Sequence, residues 1–169
     1  TRWRYLCAMG LSLRNPLDDG RQSQAALAIA RGASRLLLAH GMACVPELSL
    51  ANGRRADLAA ISDKNEIWIV EIKSCVADFR ADQKWPDYRA YCDRLFFAVA
   101  GDFPRDLLPE DTGIIVADRY GGDIIRPAPE HRLGPAVRKA VTLGLARTAA
   151  WRLLGVSDPE LRLEEPLAR

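Results

Sequence analysis

The sequence predicts a single α/β domain, a mixed β-sheet flanked by helices, and three observations carry that expectation. Ala56–Ile61 and Glu66–Ser74 are strand-like runs joined by the polar, turn-prone Ser62-Asp63-Lys64-Asn65, which reads as a β-hairpin. Leu95–Ala100 and Gly113–Ala117 are short and continuously apolar, the composition of central strands covered on both faces. Arg21–His40 and Ala136–Leu154 carry apolar residues at helical spacing and bracket the strands. A chain of 169 residues is long enough for one domain with a substantial core. The domain is expected to span residues 1–155, with 156–169 as a weakly ordered polar tail.

After an irregular opening, Ala26, Ile29, Ala30, Ala33, Leu36 and Leu37 define the apolar stripe of the first helix, and Gly41 is a natural stop just beyond it. Arg21, Arg31 and Arg35 leave this helix basic, either as phosphate contacts or as a solvated face. The next strand, in ACVPELSLANGRRAD, enters a hairpin whose loop length decides the role of Glu47. A two-residue Asn52-Gly53 turn opposes Leu48 to Asp57, whereas a three-residue Ala51-Asn52-Gly53 loop opposes Glu47 to Asp57. Arg54 and Arg55 stand beside this point, as phosphate contacts or as ion partners of the acids.

In the second hairpin, a loop centred on Lys64 opposes Ile61 to Ile67, Ala59 to Ile69 and Asp57 to Glu71. Lys73 points the same way as Glu71 because strand side chains alternate. Two carboxylates and an amine then converge on one face of an apolar sheet. Two acids in a poorly solvated place repel, and a divalent cation between them removes the conflict; hard oxygen ligands suit Mg²⁺ or Mn²⁺. An E-x-K triplet on a helix surface is only a solvated face, but here it ends an apolar strand with an acid at the facing register. A satisfied structural ion pair is the alternative.

Ala77–Cys92 is dense in polar and aromatic groups, and Pro86 fits the first turn of a helix continuing through Tyr91. Trp85 and Tyr91 also fit a core, and Asp82 with Lys84 a surface pair. Gly121-Gly122-Asp123 turns into Ile124-Ile125, and Gly134-Pro135 opens the last helix, which Gly155 is expected to stop. Its Val137, Ala140, Val141, Leu145, Ala149 and Leu153 form one packing face, while Arg138, Lys139, Arg147 and Arg152 keep it basic; a DNA-facing or homodimer face is the alternative to plain packing.

Composition narrows the classes. Lys and Arg number 24 against 22 Asp and Glu, a net charge of +2, so bulk charge does not announce nucleic acid. Cys7, Cys44, Cys75 and Cys92 show no C-x-x-C spacing and His40 and His131 are the only histidines, so zinc is not expected and the thiols read as buried groups of a reducing compartment. No apolar run reaches the roughly 18 residues of a membrane span, and TRWRYLCAMGLSLRNP lacks the apolar core of a signal peptide, so a cytoplasmic protein is expected. Internal repeats, a glycine-rich phosphate loop and a Ser-His-Asp set are all missing.

Asp57, then Glu71-Ile72-Lys73 ending an apolar strand, resembles the D…(D/E)-x-K core of the PD-(D/E)XK nuclease superfamily. More narrowly, RRAD followed by VEIKS and ADFRADQKWPDYRAYCD is similar to the MmcB-like DNA-repair family, over about Arg21 to Ile125. The superfamily's Pro before the Asp is replaced by Ala56, and the acid that many members carry on the first helix is absent, since no acid lies between Arg21 and Val45. The resemblance implies a restriction-endonuclease-like core and a metal-dependent deoxyribonuclease acting in DNA repair. Asp57 and Glu71 would be metal ligands with the Ile72 carbonyl, and Lys73 a catalytic base or charge stabiliser. It favours the register that adds Glu47 to the acids, and it implies that Gln83 and Lys84, then Tyr88, join the site or the nucleic acid. A non-cleaving DNA-binding protein of the same fold is the alternative, with branched or damaged DNA or a repair-protein partner as its target. A protein-interaction module is the third class.

Overall fold

The computed structural model of the chain describes residues 23–158 and 160. The expectations for the irregular opening, for Arg21, for Cys7 and for most of the tail lie outside the described residues. Helix α1, Gln24–Ala39, starts at Ser23, whose hydroxyl accepts the Ala26 N–H, and ends where Gly41 takes φ +72. Six strands follow: β1 Ala43–Ser49, β2 Arg55–Ile61, β3 Ile67–Lys73, β4 Arg94–Val99, β5 Gly113–Ala117 and β6 Gly122–Arg126. Between β3 and β4 lie a short helix α2, Val76–Ala81, and a 3₁₀ segment, Trp85–Tyr91; the last helix, α3, is Pro135–Ser157.

The strands form one sheet in chain order, β1 to β6. β1–β2, β2–β3 and β5–β6 are antiparallel, while β3–β4 and β4–β5 are parallel. The sheet is therefore mixed and helix-flanked, the α/β class expected. Alternation sorts the strand residues into two cores. Leu58, Ala60, Val70, Ile72, Phe96, Ala98, Ile115 and Ala117 lie under Ile29, Ala30, Ala33 and Leu37 of α1. On the other face Ala59, Ile67, Ile69 and Leu95 meet Tyr88, Cys92, Val141 and Leu145. Phe97, Val99 and Ile114 extend that face beneath Phe79, Trp85, Phe103 and Leu108. Both parallel crossovers lie on this second face.

Pro86 sits in the first turn of a helical segment that continues through Tyr91, as expected; the segment is 3₁₀, and the short helix α2 precedes it. Three expectations change. α3 runs through Gly155 to Ser157, because a glycine inside a helix only weakens it, by roughly 1 kcal/mol. Its packing face also differs: Val137 and Leu153 are exposed, and only Val141 and Leu145 are fully buried. Polar anchors set that rotation. Arg138 forks onto Asp93 with two 2.7 Å bonds, while Asp93 also accepts the N–H of Ile67 and of Leu133. Arg152 donates to the Pro46 and Glu47 carbonyls. The thiols are not uniformly buried either: Cys92 is buried, Cys44 half-buried and Cys75 exposed at the α2 N-cap. Among the described residues no helix is long and apolar enough to cross a membrane.

Candidate functional site

The two hairpins position the acids. The loop after β1 is Ala51-Asn52-Gly53, closed by Leu50 N–H to the Arg54 carbonyl at 2.8 Å with Gly53 at φ +78. Leu48 then pairs with Ala56 and Pro46 with Leu58, which leaves Glu47 opposite Asp57. Glu47 itself sits at φ +53, so the strand is locally distorted there, and its carboxylate is ion-paired with Arg55. In the second hairpin Ile61 pairs with Ile67, Ala59 with Ile69 and Leu58 with Val70, the expected register.

One step beyond Leu58–Val70, the acids replace the ladder. Asp57 Oδ2 accepts the Ile72 N–H at 2.7 Å, and Glu71 Oε1 accepts the Asp57 N–H at 3.3 Å. Each carboxylate thus satisfies a backbone donor that a continued sheet would have paired. Glu71 and Lys73 follow Ile67 and Ile69 on one face and are only 3% and 4% exposed. Lys73 Nζ lies 3.8 Å from Glu71 Oε2 and 2.6 Å from Asp82 Oδ2. A cavity of about 350 Å³ opens here, lined by Ser23 and Ala26 of the α1 start with Asp57, Glu71–Ser74 and Asp78.

Electrostatics mark the site as frustrated. Burial lifts the Asp57 carboxyl to about 6 against the lowering effects of the Ile72 N–H and the Lys73 ammonium, and the charges of Glu47 and Asp78 add to the rise. Burial first, and the charge of Asp57 second, hold Glu71 well above the ordinary carboxylate range. Burial acts to lower the Lys73 ammonium, but its bond to Asp82 and the charges of Glu71, Asp82 and Asp57 outweigh it and keep the amine cationic. For Asp82 burial is again overcome, by Lys73 and by the Lys84 N–H, and its carboxyl is held low.

The other residues singled out in the sequence lie around this centre. Gln83 is exposed and donates its amide to the Arg80 carbonyl, and Lys84 is exposed; neither lines the cavity. Both fall on the turn that follows α2, which carries their side chains outward. Tyr88 is buried, with its hydroxyl donated to the Arg55 carbonyl at 3.0 Å, so it braces β2 from below instead of facing solvent. Arg54 pairs with Asp87 at 2.9 Å and Arg55 with Glu47, as ion partners of acids. Two residues were missed. Asp82, read as a surface partner of Lys84, grips Lys73, and Asp78 faces the cavity while accepting the Ser74 N–H. The six residues of α2 make a single short excursion that returns the chain to the end of β3, which was the available signal.

The donor set fits a hard divalent cation. Mg²⁺ is commonly held by one or two carboxylates and keeps several waters, so Asp57 and Glu71 beside a water-accessible cavity suffice. An all-protein cage is not built here: among the described residues no three His, Cys, Asp or Glu side chains gather at ligating distance.

Comparison with known proteins agrees with this architecture. A solved structure of a protein of unknown function from Silicibacter pomeroyi is similar to this chain, with 43% identity and a TM-score of 0.81, across 86% of this chain and 99% of that one. No curated protein matches the chain. The family model described as DNA repair protein MmcB-like matches residues 13–160, which include β1 to β6, both hairpins and the acidic pair. The chain belongs to the MmcB-like family of DNA repair proteins.

Proposed function

We propose that the protein is a Mg²⁺- or Mn²⁺-dependent nuclease, or nuclease-like protein, with a PD-(D/E)XK core, hydrolysing phosphodiesters of DNA in repair. The observation that carries this is the pair of carboxylates, half-buried Asp57 and buried Glu71, facing one another across a hairpin beside the buried Lys73 and an open cavity, both held above their ordinary pKa by burial. The order of three antiparallel strands followed by parallel β4 and β5 supports the core assignment. Family membership supports DNA as the partner.

Asp57 and Glu71, with the Ile72 main-chain oxygen, would hold the cation. When bound it supplies Lewis acidity at a phosphate oxygen and an activated water. Lys73, kept as an ammonium by Asp82, suits charge stabilisation at the phosphate better than proton removal. The surrounding acids, Asp78 and Asp82 among them, repel a phosphate until the cation is present.

The second reading, a DNA-binding repair protein that does not cut, rests on the commitment of Lys73, which is buried and held by Asp82 at 2.6 Å. Arg54 and Arg55 stay partly exposed in their pairs with Asp87 and Glu47, and can exchange an acid for a phosphate. Incubating pure protein with single-stranded, duplex and branched DNA, with and without Mn²⁺, separates the two readings. Cleavage is expected only with the cation, and Glu71→Gln should slow it by about 100-fold or more. Wild-type protein that binds branched DNA and leaves it intact in Mg²⁺ and Mn²⁺ supports the second reading.

A further inference from the structure

The geometry points to Asp82 as a positioning residue that holds the Lys73 amine out of the place between Asp57 and Glu71, and so keeps that place open for a divalent cation. The inference rests on the metal-dependent reading above and adds a residue to it.

Lys73 is the natural competitor of a metal here. Its ammonium carries positive charge on a flexible stem, it is almost fully buried, and it lies 3.8 Å from Glu71 Oε2. A small rotation would bring it into direct contact with the acids and neutralise them without a cation. What opposes this is a shorter bond, 2.6 Å, from Nζ to Asp82 Oδ2. Asp82 is well placed to hold the amine because its own carboxylate is fixed: Oδ1 accepts the Lys84 N–H at 2.8 Å. The backbone of Asp82 is tied as well, its N–H reaching the Asp78 and Phe79 carbonyls at the end of α2. One oxygen is thus anchored to the main chain while the other grips the lysine, so the amine is drawn towards α2 and away from the hairpin.

The test is Mn²⁺ binding by calorimetry on the full chain for wild type, Asp82→Asn, Lys73→Ala and the double variant. If the released amine occupies the acidic pair nine-tenths of the time, Asp82→Asn should raise the apparent Kd about tenfold, because only the open fraction can bind. Removing the Asp82 charge also weakens cation binding directly, and the Lys73→Ala background measures that part alone. The proposal requires the loss from Asp82→Asn to be several-fold larger with Lys73 present than in the Lys73→Ala background. Equal losses in both backgrounds overturn the positioning role and leave the metal site standing. Wild type that takes up no Mn²⁺ overturns the metal reading and this inference together. Should Asp82→Asn fail to fold, Asp82→Glu replaces it. Its longer arm shifts the grip without removing charge, so an unchanged Kd in Asp82→Glu together with weaker binding in Lys73→Ala than in wild type would overturn the proposal.

Discussion

Asp57 and Glu71 each do two things that conflict. They cap backbone N–H groups where the β2–β3 ladder opens, and they place two negative charges in a desolvated corner. For Asp57 the conflict sets a pH dependence of stability. Its carboxyl rises from an ordinary 3.8 to about 6 in the fold, so between these values the folded chain binds more protons than the unfolded one. Its contribution is therefore fully present below about pH 4 and is lost as pH rises through about 6. Asp57→Asn, which imitates the protonated acid, should melt higher than wild type in EDTA at pH 7. The gain should be about 1–2 kcal/mol, or about 2–8 °C, and should shrink towards zero near pH 4. Thermal melts across pH 4–7 check this. A variant that melts lower at pH 7 would make Asp57 a member of a structural ion network.

At the scale of elements, the site depends on how α1 seats across the sheet. Gly32, in the middle of α1, meets the β5–β6 turn so closely that an added Cβ would lie 2.0 Å from the Asp118 carbonyl oxygen and 2.4 Å from that of Gly121. Both are backbone atoms, so the helix itself would have to lift. The start of α1 would be displaced with it, and Ser23 and Ala26 line the cavity. Gly32→Ala should therefore cost about 3 kcal/mol or more and lower soluble yield. Gly144→Ala in α3, where an added Cβ would meet nothing within 4 Å beyond its own stretch of helix, should instead stabilise by about 0.5–1 kcal/mol. Chemical denaturation of both variants checks the contrast. The β2–β3 register was legible in the sequence because a strand slipped by one residue turns every apolar side chain outward. The β1–β2 register stayed open between a two-residue and a three-residue loop, and only the resemblance favoured the one observed. The rotation of α3 was not legible either. Its apolar residues spread around the helix, and long-range polar anchors, Arg138 on Asp93 and Arg152 on the β1 carbonyls, chose the face.

At the scale of the whole molecule, convergence of Asp57, Glu71 and Lys73 could be read from alternation and register alone. Residues that reach the site across a turn could not. Gln83 and Lys84 sit one and two positions from Asp82, yet only Asp82 bonds to Lys73. A break between a short helix and a 3₁₀ segment redirects each successive side chain, and no periodicity records it. Charge is likewise a question of placement: a net +2 disguises a site in which acids outnumber free cations. This arrangement separates cutting from binding. If Lys73 stabilises charge that develops only during the chemical step, Lys73→Ala loses that contact in full and cleavage falls by about 100-fold or more. Its contribution to ground-state affinity is one phosphate contact among several, so binding should weaken only a few-fold and the salt slope should fall by about one. In the non-cutting reading the order reverses, and Arg54, Arg55 or Lys84 substitutions weaken binding more than Lys73→Ala does. Cleavage and salt-titrated binding on the same branched DNA, for wild type and each variant, decide between them. A Lys73→Ala protein that still cuts at the wild-type rate would remove Lys73 from the chemistry and leave it to the two carboxylates and the cation they would hold.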